Sequence, residues 1–374
     1  MALLVGVCVF LLSCLVDPVT RETWWLGNDY AAMSKAPFAC LGPFPHRVLG
    51  PLLAHVLGLG GDDYWIFHHA VLVLLLASLT GIAVSRGLSW ARASLLTLAL
   101  SLTLGFALFK TFVGYSEPLS FLLMVLALAF VRRSVLFWSL QLLALLNHEH
   151  MVFFWPWLLL QRRLAGTSWR ADAIGAPAVA AAYVLFRLVV DLGATAQLYT
   201  LENQLDWATP SLRMIGMCVL TTIYLLMTYG LMPVLLAWNA ASAQRRSAVA
   251  DIALFLLSLF ALCSIALDTF RFVGYALIPT WLAGIRFVQR RHGPLILAAL
   301  AAATVGAIRL QQRTFAPLVQ TIMANQPDPA TEIVRKVIPE QPWLFAGVGV
   351  AAAAIVALGI VWGRRDRRLG LAPP

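Results

Sequence analysis

Long apolar runs separated by short polar intervals make up most of the chain. The first covers residues 2–16, and others follow at about 67–85, 93–112, 118–131, 134–147, 150–161, 173–192, 211–241, 250–267, 271–286, 294–309 and 343–362. A helix needs roughly 20 apolar residues to cross the hydrocarbon core of a bilayer, so most of these runs predict transmembrane helices. The alternating short segments of a β-barrel do not occur. The pattern therefore predicts an all-α, polytopic membrane bundle of about 12 transmembrane helices, a single transmembrane domain over residues 1–374. The three runs between Pro118 and Gln161 are shorter than a perpendicular span, which leaves a re-entrant pair open there. Residues 2–16 read as a retained first helix. They lack the basic residues that open a signal peptide, and Leu12-Ser13-Cys14 only loosely fits a lipoprotein processing site.

Composition strengthens this reading. Hydrophobic residues are 61% of the chain and charged residues 12%, about half the charged share of a soluble domain. The net charge of +10 comes from 24 Arg and 3 Lys against 17 acids. No basic face with interleaved aromatics is present, which argues against nucleic acid as a partner. The arginines instead cluster between apolar runs. With a cytoplasmic N-terminus and one crossing per run, the cytoplasmic connections hold Arg86 and Arg92, Arg132 and Arg133, and Arg162, Arg163 and Arg170. They also hold Arg245 and Arg246, then Arg286, Arg290 and Arg291, and finally Arg364, Arg365, Arg367 and Arg368 in the tail 363–374. These are 16 of the 27 basic residues, as the positive-inside rule requires. A miscount of one helix would move alternate clusters to the wrong side. Both termini are thus expected in the cytoplasm, in a multi-pass protein of the bacterial inner (plasma) membrane.

The opposite face collects the first outer loop 18–66, the outer loops 193–210 and 310–342, most of the acids and six of the seven His. Chemistry is expected there, because the inner loops are short and almost purely basic. Of the five Cys, Cys8, Cys14, Cys218 and Cys263 lie in apolar runs and Cys40 in a loop, which builds neither a disulfide framework nor a zinc spacing.

Four outer constellations carry candidate chemistry. In the first loop, Asn28-Asp29-Tyr30 precedes a plausible helix, with Lys35 beyond it, and Pro45–Leu57 suits a surface helix presenting His46, Arg47 and His55. The same loop also suits a connector anchored at the interface by Trp24, Trp25 and Tyr30. Next, Glu117 opens an apolar run at the outer boundary with Lys110 nearby; there an acid favours the helix N-terminus even with no catalytic role. Third is His148-Glu149-His150. Residues two apart do not share a helix face, so these side chains converge on a metal only in a tight turn, and contacts to substrate or hydrogen bonds at the bundle mouth are the commoner outcome. Last, Asp268 and Arg271 are spaced to pair across one helical turn, either as a structural lock or facing a wet cavity; Arg187 and Asp191 are spaced similarly and read as a structural pair.

Some of these residues resemble a family. An opening helix is followed by Asp29-Tyr30 and then by Pro43-Phe44-Pro45-His46-Arg47-Val48-Leu49-Gly50-Pro51. Gly114-Tyr115-Ser116-Glu117-Pro118 then opens a short helix, and Asp268 and Arg271 precede Ala276-Leu277-Ile278-Pro279. In order and character this resembles the polytopic GT-C glycosyltransferases, most clearly over residues 1–165. The acidic pair common in the first loop of that family reads Asn28-Asp29 here. The resemblance implies transfer of a sugar from a polyprenyl-phosphate-linked donor to an acceptor hydroxyl on the extracytoplasmic side, with inversion, the acceptor being a glycan, lipid or protein. It implies Asp29 as general base, and cations such as Arg47, Lys35, Lys110 and Arg271 to receive the leaving phosphate. Tyr30, His46, Glu117, His148, Glu149, His150 and Asp268 complete the expected substrate-binding set. No cofactor is assigned, and a divalent metal has no clear ligand motif behind it. A transporter or lipid-translocating protein, and a non-catalytic subunit of GT-C-like architecture, remain as alternatives.

Overall fold

The computed structural model describes residues 1–23, 25–39, 44–193, 210–242, 246–265, 269–314, 333–340 and 342–369. The predicted outer loop 193–210 lies almost wholly outside these residues, as does most of the predicted loop 310–342. Regular structure among the described residues is helical, apart from an isolated parallel bridge between Thr23 and Val113. The chain divides into two compact units, one of residues 1–90 and 107–201, the other of residues 91–106 and 202–374.

The first unit contains α1 (Ala2–Cys14), α2 (Leu26–Lys35), α3 (Leu49–Val56), α4 (Tyr64–Ser85), the end of α6 (Leu104–Thr111), α7 (Glu117–Ala129), α8 (Ser134–Asn147), α9 (Trp155–Leu164) and α10 (Trp169–Gly193). The helix α5 (Trp90–Ser101) falls almost entirely in the second unit. A 3₁₀ segment, Glu149–Phe154, links α8 to α9. Helix α1 lies against α4 at Gly6, where an added Cβ would sit 2.9 Å from both the Ala77 Cβ and the Val73 carbonyl oxygen. Small residues permit such close approach, on which helix association in a bilayer depends.

One end of this unit is knotted by arginine. Arg162, fully buried, donates to the Asp172 carboxylate at 2.5 Å, the Val131 carbonyl at 2.5 Å and Ser134 Oγ at 2.7 Å. Arg163 and Trp138 also donate to Asp172. Arg86 reaches the Leu128 carbonyl at the C-terminal end of α7. Three of the predicted cytoplasmic arginines therefore gather where α4 and α7 end and α8 begins. His148 follows the far end of α8, whose 14 residues span about 21 Å at the α-helical rise.

The second unit contains α5, α11 (Pro210–Tyr229), α12 (Pro233–Ser242), α13 (Arg246–Ile265), α14 (Leu277–Val288), α15 (Gly293–Thr314) and α16 (Pro342–Arg368). Asp366, 2% exposed, accepts from Trp238 Nε1 at 2.7 Å and Arg290 Nη2 at 2.6 Å, so the basic end of α16 is helical and tied to α12. Gly359 and Gly363 let the two helices touch: a Cβ at Gly359 would lie 2.6 Å from Ala237 Cβ and 2.7 Å from the Val234 carbonyl oxygen. Gly359→Val is expected to cost about 1–3 kcal/mol through overpacking, read as a lowered unfolding midpoint in detergent. An unchanged midpoint would show that α12 and α16 do not pack this closely.

Among the described residues, four helices are long and apolar enough to cross a membrane: Gly61–Ser85, Trp169–Val190, Ser247–Ser264 and Phe345–Arg368. Two bent pairs, Trp90–Ser101 with Leu104–Thr111 and Met214–Tyr229 with Pro233–Ser242, raise the number to six if each is one span. Five further apolar helices are shorter: Ala2–Cys14, Glu117–Ala129, Ser134–Asn147, Val273–Val288 and Gly293–Ala307. The chain thus has the helical, apolar build of a multi-pass membrane protein, with four to six spans among the described residues by length and composition. The predicted run 150–161 becomes the 3₁₀ segment plus α9, where Pro156 sits in the first turn of the helix and the polar Gln161-Arg162-Arg163 end the apolar stretch.

Candidate functional site

The first loop is folded onto the connection between α6 and α7. Thr20 and Thr23 reach that connection, Thr20 Oγ1 donating to the Thr111 carbonyl and Thr23 bridging to Val113. Helix α2 then rests on it through a pair of glycines. Gly114, at φ +97°, lies so close to Gly27 that a Cβ would stand 2.6 Å from the Gly27 Cα. Only glycine tolerates both the positive φ and the backbone approach. Asn28, Asp29 and Tyr30, expected just ahead of a helix, lie inside α2, because no proline interrupts residues 26–35 and Gly27 falls in the first turn. The predicted surface helix 45–57 shortens to α3, Leu49–Val56.

The turn before α3 supplies the centre of the site. Arg47, 3% exposed, grips Glu149 with both sides of its fork: Nε to Oε2 at 2.9 Å and Nη2 to Oε1 at 2.5 Å. Its Nη1 donates to the Tyr30 hydroxyl at 3.0 Å, and its guanidinium lies 3.8 Å from the centroid of the Phe44 ring. A bidentate, charge-assisted pair fixes direction as well as distance. Burial pushes the Glu149 carboxyl up, but the Arg47 charge, the hydrogen bonds from His46 and Arg47 and the His148 charge together outweigh it and hold the carboxyl well below the usual range. Burial likewise opposes the Arg47 charge, and Glu149 and Tyr30 together more than restore it. Tyr30 is raised by burial, with Arg47 opposing.

Around this pair stand three imidazoles. His46 Nε2 is 3.4 Å from Glu149 Oε2, His148 Nδ1 is 3.8 Å from the same oxygen, and His150 Nε2 is 3.9 Å from Oε1. His148 ends α8 in an extended conformation (φ −160°, ψ 116°), and the chain then tightens into 3₁₀ turns. That change of backbone brings the His148 and His150 rings together, with centroids 4.3 Å apart, which a continuous helix would have prevented. Glu117, fully buried in the first turn of α7, places Oε1 3.9 Å from His148 Nε2. Asn147 joins α7 and α8 beside it, donating to the Ser116 carbonyl at 2.7 Å and Ser120 Oγ at 2.8 Å.

Of the residues nominated from sequence, Tyr30, His46, Arg47, Glu117, His148, Glu149 and His150 thus converge. Asp29 is on the same helix but outside the ion-pair cluster: it is half-buried, and burial raises its carboxyl above the usual 3.8 with no cation contributing. Lys35 is exposed and meets Asp62 at 3.4 Å. Lys110 points elsewhere, its buried ammonium donating to the Ser13 carbonyl at 2.8 Å and so closing the end of α1. Asp268 lies outside the described residues, and Arg271 belongs to the second unit, at the turn Thr269–Phe272. An open depression of about 500 Å³ is lined by Asn28, Ala31, Ala32 and Lys35 along one face of α2, with Arg21 and Asp62 opposite; neither Asp29 nor Arg47 lines it.

Sequence reasoning missed Tyr183 on α10 and read Arg187 only as one half of an ion pair with Asp191. The buried Tyr183 phenol feels the charges of Glu149, Arg187 and Arg47. A polar-aromatic pair at i and i+4 in an apolar run was the available signal. The side chain of Asp191, the partner predicted for Arg187, lies outside the described residues.

Comparison with protein-family models, with curated proteins and with solved structures gives no match.

Proposed function

We propose that the chain is a GT-C-like membrane glycosyltransferase. It moves a sugar from a polyprenyl-phosphate-linked donor to an acceptor hydroxyl on the extracytoplasmic side, with inversion. In this reading about 12 segments cross or enter the membrane, both termini are cytoplasmic, and the membrane is a bacterial inner membrane. One observation carries it: α2 holds Asp29, a carboxylate whose proton affinity burial raises, directly beside Tyr30, whose hydroxyl is bound by the buried Arg47. A base without a cation clamped to it keeps its basicity, and a neighbouring guanidinium suits a phosphate. The acceptor oxygen bonds to the anomeric carbon as the carbon–phosphate oxygen bond breaks. The acceptor proton passes to Asp29, and the electron pair leaves on the polyprenyl phosphate. Arg47 spends three donors on Glu149 and Tyr30, and a guanidinium has five.

Purified protein in liposomes carrying polyprenyl-phosphate sugars is expected to release polyprenyl phosphate and to form a glycosylated acceptor detectable by mass spectrometry. Movement of the lipid between leaflets with no covalent product would overturn this reading in favour of a translocating protein. The pair Met214–Tyr229 and Pro233–Ser242, bent by 100°, gives that second reading its support, since transporters build substrate sites on broken helices.

A further inference from the structure

We infer that His46, His148, Glu149 and His150 form a site for one divalent transition-metal ion of the zinc class. The inference does not depend on the transfer reaction. His148, Glu149 and His150 each offer a ligand atom, and these atoms lie within 4.8 Å of one another. A tetrahedral zinc ion with bonds of about 2.0–2.1 Å needs ligand atoms about 3.3 Å apart, so closing these three around an ion takes movements of about 1 Å. His46 is a second, independent pointer. It is 2% exposed, Nδ1 has no hydrogen-bond partner, and Nε2 faces Glu149 Oε2 at 3.4 Å, too long for a well-formed hydrogen bond. A buried imidazole this close to a carboxylate either donates its N–H to it or gives a lone pair to a cation held between the two.

The surroundings are those that metal-bound imidazoles and carboxylates use. His148 turns Nδ1 to the cluster and Nε2 to the fully buried Glu117, the carboxylate–histidine–metal arrangement that orients a ligating ring. Arg47 holds Glu149 through both oxygens, yet a carboxylate has about four lone-pair positions, so the clamp leaves room for a metal bond. The amide of His150 contacts His148 Nδ1 at 3.4 Å, beyond an ordinary hydrogen bond, and metal binding replaces that contact. Three imidazoles and one carboxylate select zinc, cobalt or nickel over magnesium or calcium, which take oxygen ligands. With all four ligands from protein, the site is closed and therefore structural in kind. Its place in the fold fits that role, because it ties the first loop to the end of α8.

The full-length protein, stripped with chelator in detergent and reloaded with zinc alone, is expected to retain about one equivalent after desalting. Its zinc absorption edge is expected to show imidazole scattering at about 2.0 Å. The cobalt-loaded protein should show the intense visible bands of a tetrahedral site. His148→Ala with His150→Ala should lower the retained metal at least tenfold, and His46→Ala should weaken retention, while His55→Ala, on the exposed face of α3, should retain it fully. If the double variant does not fold, the absorption edge of the wild-type protein decides. No retained zinc, or zinc bound only by oxygen ligands without imidazole, would overturn the proposal, as would equal retention by the folded double variant.

Discussion

Asparagine in place of Asp29 is expected to lower the turnover of the proposed transfer by about 10²- to 10⁴-fold, with the donor KM little changed, because a positioned general base contributes that much to rate. The substitution removes the proton acceptor and keeps the shape. Asp29 is half-buried in α2 without a cationic partner among the described residues, so the variant should fold and insert as the parent does. This separates a catalytic loss from a structural one. The acidic limb of the pH–rate profile follows the same carboxyl. Burial raises it above 3.8, so the ionised base is lost as pH falls through a value higher than that of an exposed aspartate. Product formation, retention on a sizing column and the pH profile together test the claim. A fully active Asp29→Asn protein would remove Asp29 from the mechanism.

Arg47→Ala is expected to destabilise the first unit by about 3–5 kcal/mol, the usual cost of leaving one partner of a buried ion pair uncompensated. The alanine removes both bonds to Glu149, the bond to Tyr30 and the stacking on Phe44 in a single step. Lysine should recover the charge but not the fork, and so only part of the stability. Replacing both partners, as in Arg47→Met with Glu149→Leu, should recover more than lysine does, because no buried charge is then left alone. Unfolding midpoints of the four proteins in detergent measure this directly. A single-alanine loss below about 0.5 kcal/mol would mean that the pair is not buried in the membrane-embedded protein.

The site was legible in the sequence where its residues are near neighbours or stand at a boundary of the hydrophobic pattern. Glu117 and Glu149 were visible because an acid beside an apolar run is conspicuous. Arg47 was visible as a cation in the first outer loop. Their pairing was not, since Arg47 and Glu149 are 102 positions apart and nothing local to either specifies the other. Lys110 shows the reverse case. It lies seven positions from Glu117 and was grouped with it, yet the helix α6 turns its ammonium to α1, where Ser13 offers the oxygens that a buried ammonium needs. The convergence of His148 and His150 turned on one backbone conformation at His148, which side-chain spacing does not encode.

The chain's own pattern determined the class of the protein, the approximate places of its helices and which ends carry the arginines. Those properties follow from the periodicity and length of apolar segments and from charge at their borders, all of which are local. Tertiary structure decided that seven polar residues far apart in the chain share one centre, that α2 carries Asp29 beside that centre and apart from its ion pairs, and that Arg162 and Asp366 are locks within their own units. Such choices depend on which distant donors and acceptors meet once the apolar faces are buried. A buried charge must then find its partner wherever packing has placed one.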